Sequence, residues 1–221
     1  MPAVPLKSEY GPTLGELLAP RWRRASLALR ALWVGAVALL AAAVAGAALT
    51  LASPTISHGG PVPFSFSYGG LYRTSPAPGW YARVQRVRGG RLEDSFAVGP
   101  LELPPYRGEL GAALALYAAG YIRHLAAARA PGQTGFVLRG EGSTQIDAVA
   151  TYATYNVFYT TVVGGREMYG RNVLLLAGPR GARRGVQIAM LTAAGNRQVT
   201  SPLDVGVKGP LEEPLGTFAL E

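Results

Sequence analysis

The sequence predicts an α+β domain, with one main helix packed on a face of a largely antiparallel sheet, preceded by one N-terminal transmembrane helix. Three observations carry this. Residues 31–52 contain no charged side chain, a run of 22. Residues 109–128 repeat apolar side chains at helical spacing. From residue 64 onward the remainder reads as six or seven strand-like runs, most of them joined by hairpin-length turns. A helix with one apolar stripe and a sheet with one apolar face bury those surfaces against each other.

Residues 1–30 read as a basic cytoplasmic tail. Lys7, Arg21, Arg23, Arg24 and Arg30 stand against Glu9 and Glu16, so this stretch carries +3 of the formal +8. Residues 31–52 form the predicted transmembrane helix: at about 1.5 Å per residue they span the ~30 Å hydrocarbon layer. With no water in the bilayer core, their backbone groups must pair internally, which a helix does. Arginines flank the tail side, and Trp33 sits at that boundary. The positive-inside rule then places the N-terminus in the cytoplasm and the following domain outside a cell membrane. A cleaved signal peptide is the main alternative. Its apolar core is usually about 7–15 residues and its basic region is shorter than this one. A buried helix of a soluble protein is the other. Ala42 and Gly46, four apart, would let two such helices pack closely, but an Ala-rich run produces that spacing through composition.

Cysteine is absent, which excludes lipoprotein acylation, thiolate nucleophiles and Cys-ligated zinc. Nineteen of the 21 basic residues are arginine beside many alanines and glycines. Such a balance reads as codon usage rather than nucleic-acid recognition, so no nucleic-acid partner is expected.

Residues 53–63 (SPTISHGGPVP) read as a Pro/Gly linker with a solvated His58, and 64–221 as the extracytoplasmic α+β domain. Strands are expected at 64–68, 80–87 and 95–103, separated by Gly69-Gly70 and Gly89-Gly90. In the helix at 109–128, Leu110, Leu114, Tyr117, Tyr121 and Leu125 share a face that Leu116 and Ile122 widen. Pro131-Gly132 ends it, and His124 reads as a surface group near the helix C-terminus. Strand-like runs follow at 136–139, 144–146, 149–163, 167–177 and 185–192. The tail from Ser201 offers at most a short edge strand.

This order of elements, with the β meander YNVFYTTVVGGREMYGRNVLLLAG after the helix, resembles the PsbP-like fold of photosystem accessory proteins and some bacterial envelope proteins. More narrowly, the layout is similar to single-pass membrane proteins of high-GC bacteria. The resemblance implies binding and assembly rather than catalysis, by analogy of fold alone. It transfers no site residue.

The hairpin in that segment is the most informative patch. A two-residue Gly164-Gly165 loop makes facing positions sum to 329, pairing Val163 with Arg166, Phe158 with Arg171, Thr160 with Tyr169 and Tyr159 with Gly170. One face then carries Tyr155, Val157, Tyr159, Leu174 and Leu176 and suits a helix-covered core. The other carries Asn156, Phe158, Tyr169 and Arg171, a candidate half-open partner-binding face with Arg171 stacked on Phe158. An ordinary solvent face with cross-strand pairs is the plainer reading. Arg180, Arg183 and Arg184 form a basic loop that is a candidate contact for anionic lipid headgroups, or simply a solvated turn.

No catalytic, cofactor or metal residue is singled out. There is no G-x-S-x-G elbow, and Gly140-x-Gly142 opens a strand rather than a helix, unlike a phosphate loop. Glu93-Asp94 and Glu212-Glu213 read as solvated turns. Glu102, Glu109, Glu141, Asp147 and Glu167 leave open a glycosidase-like pair. The expected function is therefore a membrane-tethered, extracytoplasmic, non-enzymatic binding or accessory domain that contacts a protein partner or envelope component. An envelope-polymer hydrolase using converging carboxylates is the alternative. A cytoplasmic tail that docks a cytosolic protein is a third reading.

Overall fold

The computed structural model describes residue 26 and residues 34–39, 53–127, 133–143, 153–176 and 183–221. The chain divides into two units, residues 1–52 and 53–221. In the first, 34–39 are helical and exposed. The rest of the predicted membrane run lies outside the described residues. Among the described residues no helix is long and apolar enough to cross a membrane.

The second unit is α+β with antiparallel sheets. Its strands are β1 (Thr55–His58), β2 (Phe64–Ser67), β3 (Tyr72–Thr74), β4 (Ala82–Arg88), β5 (Arg91–Glu102), β6 (Gln133–Gly142), β7 (Ala153–Val163), β8 (Arg166–Leu176), β9 (Arg184–Ala193) and β10 (Ala219–Leu220). The long helix α1 (Leu110–Ala127) lies between β5 and β6, and a one-turn helix α2 (Glu212–Gly216) precedes β10. Seven strands form the main sheet in the order β3-β4-β5-β9-β8-β7-β6, and β1-β2-β10 form a small second sheet. The chain thus leaves the main sheet at β5, crosses its face as α1 and re-enters at the far edge. It then returns strand by strand until β9 pairs with β5. Four strand spacings are about 19 Å, and 18 helical residues are about 27 Å long, so one helix is enough for the crossing.

Both tight hairpins close on glycine pairs. Gly89 and Gly90 have φ of 56° and 75°, and Gly164 and Gly165 have 56° and 77°. Two successive positive φ angles are what a two-residue I′ loop requires. The β7–β8 register follows the predicted sum at every position, from Val163 opposite Arg166 to Ala153 opposite Leu176.

The main sheet carries a core on each face. On one face Leu101, Leu103, Leu174 and Leu176 meet Leu114 and Ala118 of α1. On the other, Phe96, Val98, Val173, Leu175, Ile188 and Met190 meet Phe64 and Phe66 of the small sheet and Leu211, Leu215 and Phe218 of the C-terminal segment.

Four sequence expectations are corrected. The stretch 53–63 is not a linker: Thr55–His58 is a strand paired with β2, and Ile56 and Val62 are buried. His58 is not solvated but half-buried, stacked against both Phe64 and Tyr81 at centroid distances of 5.0 and 4.4 Å. The C-terminal tail supplies Val205, Leu211, Leu215 and Phe218 to the core beyond its edge strand β10. On α1, Leu116 does not widen the buried stripe but stands 76% exposed.

Candidate functional site

α1 covers only part of its sheet face, and beside it the face stays concave. Alternation along the strands sends Ser95, Ala97 and Gly99 of β5, Ala189 and Leu191 of β9, and Gly170 and Asn172 of β8 to this side. These side chains are mostly small, so the floor is low. A cleft of about 220 Å³ lies over it. A second groove of about 540 Å³ runs between residues 103–106 and the exposed side of α1, with Leu116 and Tyr117 on its wall. Tyr121 borders both hollows.

Two aromatic rings are laid flat by glycines. A Cβ on Gly99 would stand 2.8 Å from the Trp80 ring, and one on Gly170 would overlap the ring of Tyr159. In each case the missing side chain is the room the ring occupies. Phe136 of β6 backs Tyr159 at 5.0 Å.

A buried polar chain links α1 to the sheet. Asn172, 2% exposed, donates through its Nδ2 to the Tyr121 hydroxyl at 2.9 Å, and its Oδ1 accepts from the Tyr159 hydroxyl at 3.4 Å. Burial pushes the pKa of both phenols well above the ordinary value; for Tyr159 the Asn172 bond opposes the rise slightly. Both are neutral hydrogen-bonding groups through the ordinary pH range. At the opposite wall stands Arg83 of β4, half-buried. It makes no ion pair or hydrogen bond among the described residues, and no carboxylate lines the cleft.

The predicted sheet face is placed differently. Asn156 and Arg171 are buried, while Phe158 and Tyr169 are half-buried. Arg171 lies over the Phe158 ring at 5.2 Å, donates to Asn156 Oδ1 at 2.8 Å and donates to the Val205 carbonyl at 3.0 Å. The C-terminal segment therefore covers the part of this face at Asn156 and Arg171, and burial lowers the Arg171 pKa to about 10. Its guanidinium ties that segment to the sheet.

The basic loop is likewise split. Arg180 lies outside the described residues, and Arg184 is exposed at the start of β9. Arg183 donates to the Leu103 carbonyl at 2.8 Å and lies 3.9 Å from Glu102.

The described carboxylates are scattered. Glu102 pairs in register with Arg184 at one end of the sheet. Glu167 sits near the other end of β8, about 30 Å away at strand rise. Glu141 lies beside Tyr155 on the β6–β7 side, Glu109 precedes α1, and Asp147 lies outside the described residues. Glu93 and Asp94 are not in a solvated turn. Glu93 is the extra residue of a β-bulge opposite Arg86 and Val87. It pairs with Arg166 at 2.6 Å, and buried Asp94 pairs with Arg86 at 2.7 Å and accepts from Thr192.

Half of the cleft was readable from sequence, because the hairpin sum already placed Tyr159 opposite Gly170. Trp80 over Gly99 and the open Arg83 were missed; Trp80 precedes β4 and lies outside the strand register, so no pairing rule places its ring over Gly99.

No family model matches the chain, and no curated protein matches it. Among solved structures, the solution structure of cyanobacterial PsbP (CyanoP) from Synechocystis sp. PCC 6803 is similar, with a TM-score of 0.45 and 11% identity over 77% of this chain and 94% of that chain. The likeness is one of fold layout, and no residue of the cleft is carried over from it.

Proposed function

We propose that the chain is a membrane-tethered, extracytoplasmic binding domain, non-enzymatic, that holds a protein partner or envelope component on the α1 face of its sheet. The single observation that carries the reading is the pair of hollows of about 540 and 220 Å³ that Tyr121 borders on either side. They place an exposed apolar wall at Leu116 beside a cleft with one open cation. Concave, mostly apolar surfaces with few polar groups are what binding sites are made of. The uncharged run 31–52 with its arginine flank supports the tether, with the N-terminus in the cytoplasm.

A photo-reactive side chain at position 116, introduced in cells, is expected to trap a discrete partner. Trapping should fail when Tyr117 is replaced by a charged residue. Equal trapping from an exposed position outside the groove, such as 207, would refute a specific partner surface. A reporter fused after residue 221 should be active only outside the cytoplasm, and cytoplasmic activity would refute the topology.

A further inference from the structure

We infer that the smaller cleft is a binding site for a small carboxylic acid with a ring-sized apolar body. The inference extends the binding reading above to a particular ligand class at one part of that face.

Size sets the first limit. A cavity of about 150 Å³ accommodates benzene, so about 220 Å³ takes one ring with a short substituent. Shape sets the second. Trp80 lies against Gly99 and Tyr159 against Gly170, so both rings are fixed by the strands beneath them. The floor between them is made of Ala97 and Ala189, which present only methyl groups. Planar walls over a floor of that height suit a flat apolar body.

Charge sets the third. Arg83 is the one charged side chain in the lining. It stands opposite Ala97 in the β4–β5 register, so its stem rises from the edge of the floor. It has no carboxylate or carbonyl partner among the described residues. A half-buried guanidinium left open in this way favours an anion, and its planar fork matches a carboxylate bidentately. Asn172 is bonded to both phenols at the far wall, and Arg83 supplies the cleft's one formal charge.

The test uses the full-length chain with Trp22→Phe and Trp33→Phe, which leaves Trp80 as the only one of three tryptophans. The probes are 4-(trifluoromethyl)benzoate and its neutral amide, followed by Trp80 emission and by fluorine NMR line-broadening. The acid should bind saturably, and about ten-fold more tightly than the amide, the usual size of a charge-assisted contact. Arg83→Gln should bring the acid down to the amide, and Arg83→Lys should keep part of the preference. Ala189→Leu should abolish binding of both by filling the floor. Absence of saturable binding, equal binding of acid and amide, or full binding in Ala189→Leu would each overturn the assignment. Near-ultraviolet circular dichroism confirms that each variant is folded. Trapping from position 116 is read separately: if it persists while acid and amide bind alike, only the ligand inference fails.

Discussion

Gly170 and Tyr159 face each other across β8 and β7, and the phenol ring of Tyr159 fills the space that a Cβ at 170 would need. The ring cannot yield easily, because Phe136 backs it and Asn172 holds its hydroxyl. Gly170→Ala should therefore destabilise the domain by about 1–3 kcal/mol, the range for overpacking a core, as measured by urea denaturation. Gly142→Ala, where a Cβ meets nothing within 4 Å, is the control and should cost much less. Equal midpoints for the two variants would show that the Tyr159 ring is free to move.

The buried Arg171 gives a second prediction. Asn156 and the Val205 carbonyl are its two hydrogen-bond acceptors, and removing Asn156 leaves part of the guanidinium unmet in a buried place. Asn156→Ala should cost about 1.5–3 kcal/mol, as for hydrogen bonds to charged groups. It should also loosen the C-terminal segment, seen as faster amide exchange around Val205. Exchange there that matches the wild type would refute the tie.

Alkaline stability tests the two phenols. Burial raises the folded pKa of Tyr121 and Tyr159 above the 10.0 of an ordinary tyrosine. Below pH 10 both states hold these protons; above it the unfolded chain loses them first, so stability falls as pH rises. Arg171 acts in the opposite sense. Its folded pKa is lowered from 12.5 to about 10, so the cost of its buried charge is relieved as pH rises between those values. Two phenols against one guanidinium give a net fall. Tyr121→Phe should flatten the decline, measured by urea midpoints at several pH values above 9. An unchanged slope would mean that Tyr121 does not hold its proton through burial.

At the acid end Asp204 provides a test. Its carboxylate accepts from the Lys208 ammonium at 2.8 Å, from the Thr200 hydroxyl and backbone N–H at 2.9 and 3.1 Å, and from Ser201. These donors hold its pKa far below the ordinary 3.8. The stabilisation is present above that value and is lost as pH falls below it toward the folded pKa. Asp204→Asn should be less stable than wild type at pH 7, and the difference should shrink progressively below about pH 4. A gap that stays constant with pH would remove the carboxylate from the account.

What could be read in advance follows from how locally each feature is encoded. The β7–β8 register was legible because two adjacent glycines fix the loop, and everything on both strands follows from it. The role of Thr55–His58 was not, because a four-residue strand with one buried apolar side chain, flanked by Pro and Gly, has no periodicity to detect. Val205, Leu211, Leu215 and Phe218 follow no single period either, and their burial is decided by the distant Phe64 and Phe66. Their path changed the site as well. Asn156 and Arg171 carry a plausible binding-face composition, but whether that face is open depends on residues some thirty positions later in the chain. Arg83 could not be singled out among 21 basic residues until strand pairing set it opposite Ala97 on the cleft floor.

The strict alternation of β5, β8 and β9 has a consequence for how this protein can change over time. Phe96, Val173 and Ile188 point to one side and build the larger core. Ala97, Asn172 and Ala189 are their immediate neighbours in sequence but line the cleft. Successive positions on the same strands therefore answer to separate demands, one for the larger core and one for the shape of the cleft. Substitutions confined to the cleft-facing set can redraw its shape and charge while the larger core is left untouched. The scaffold is thus able to diverge in its cleft while remaining the same scaffold.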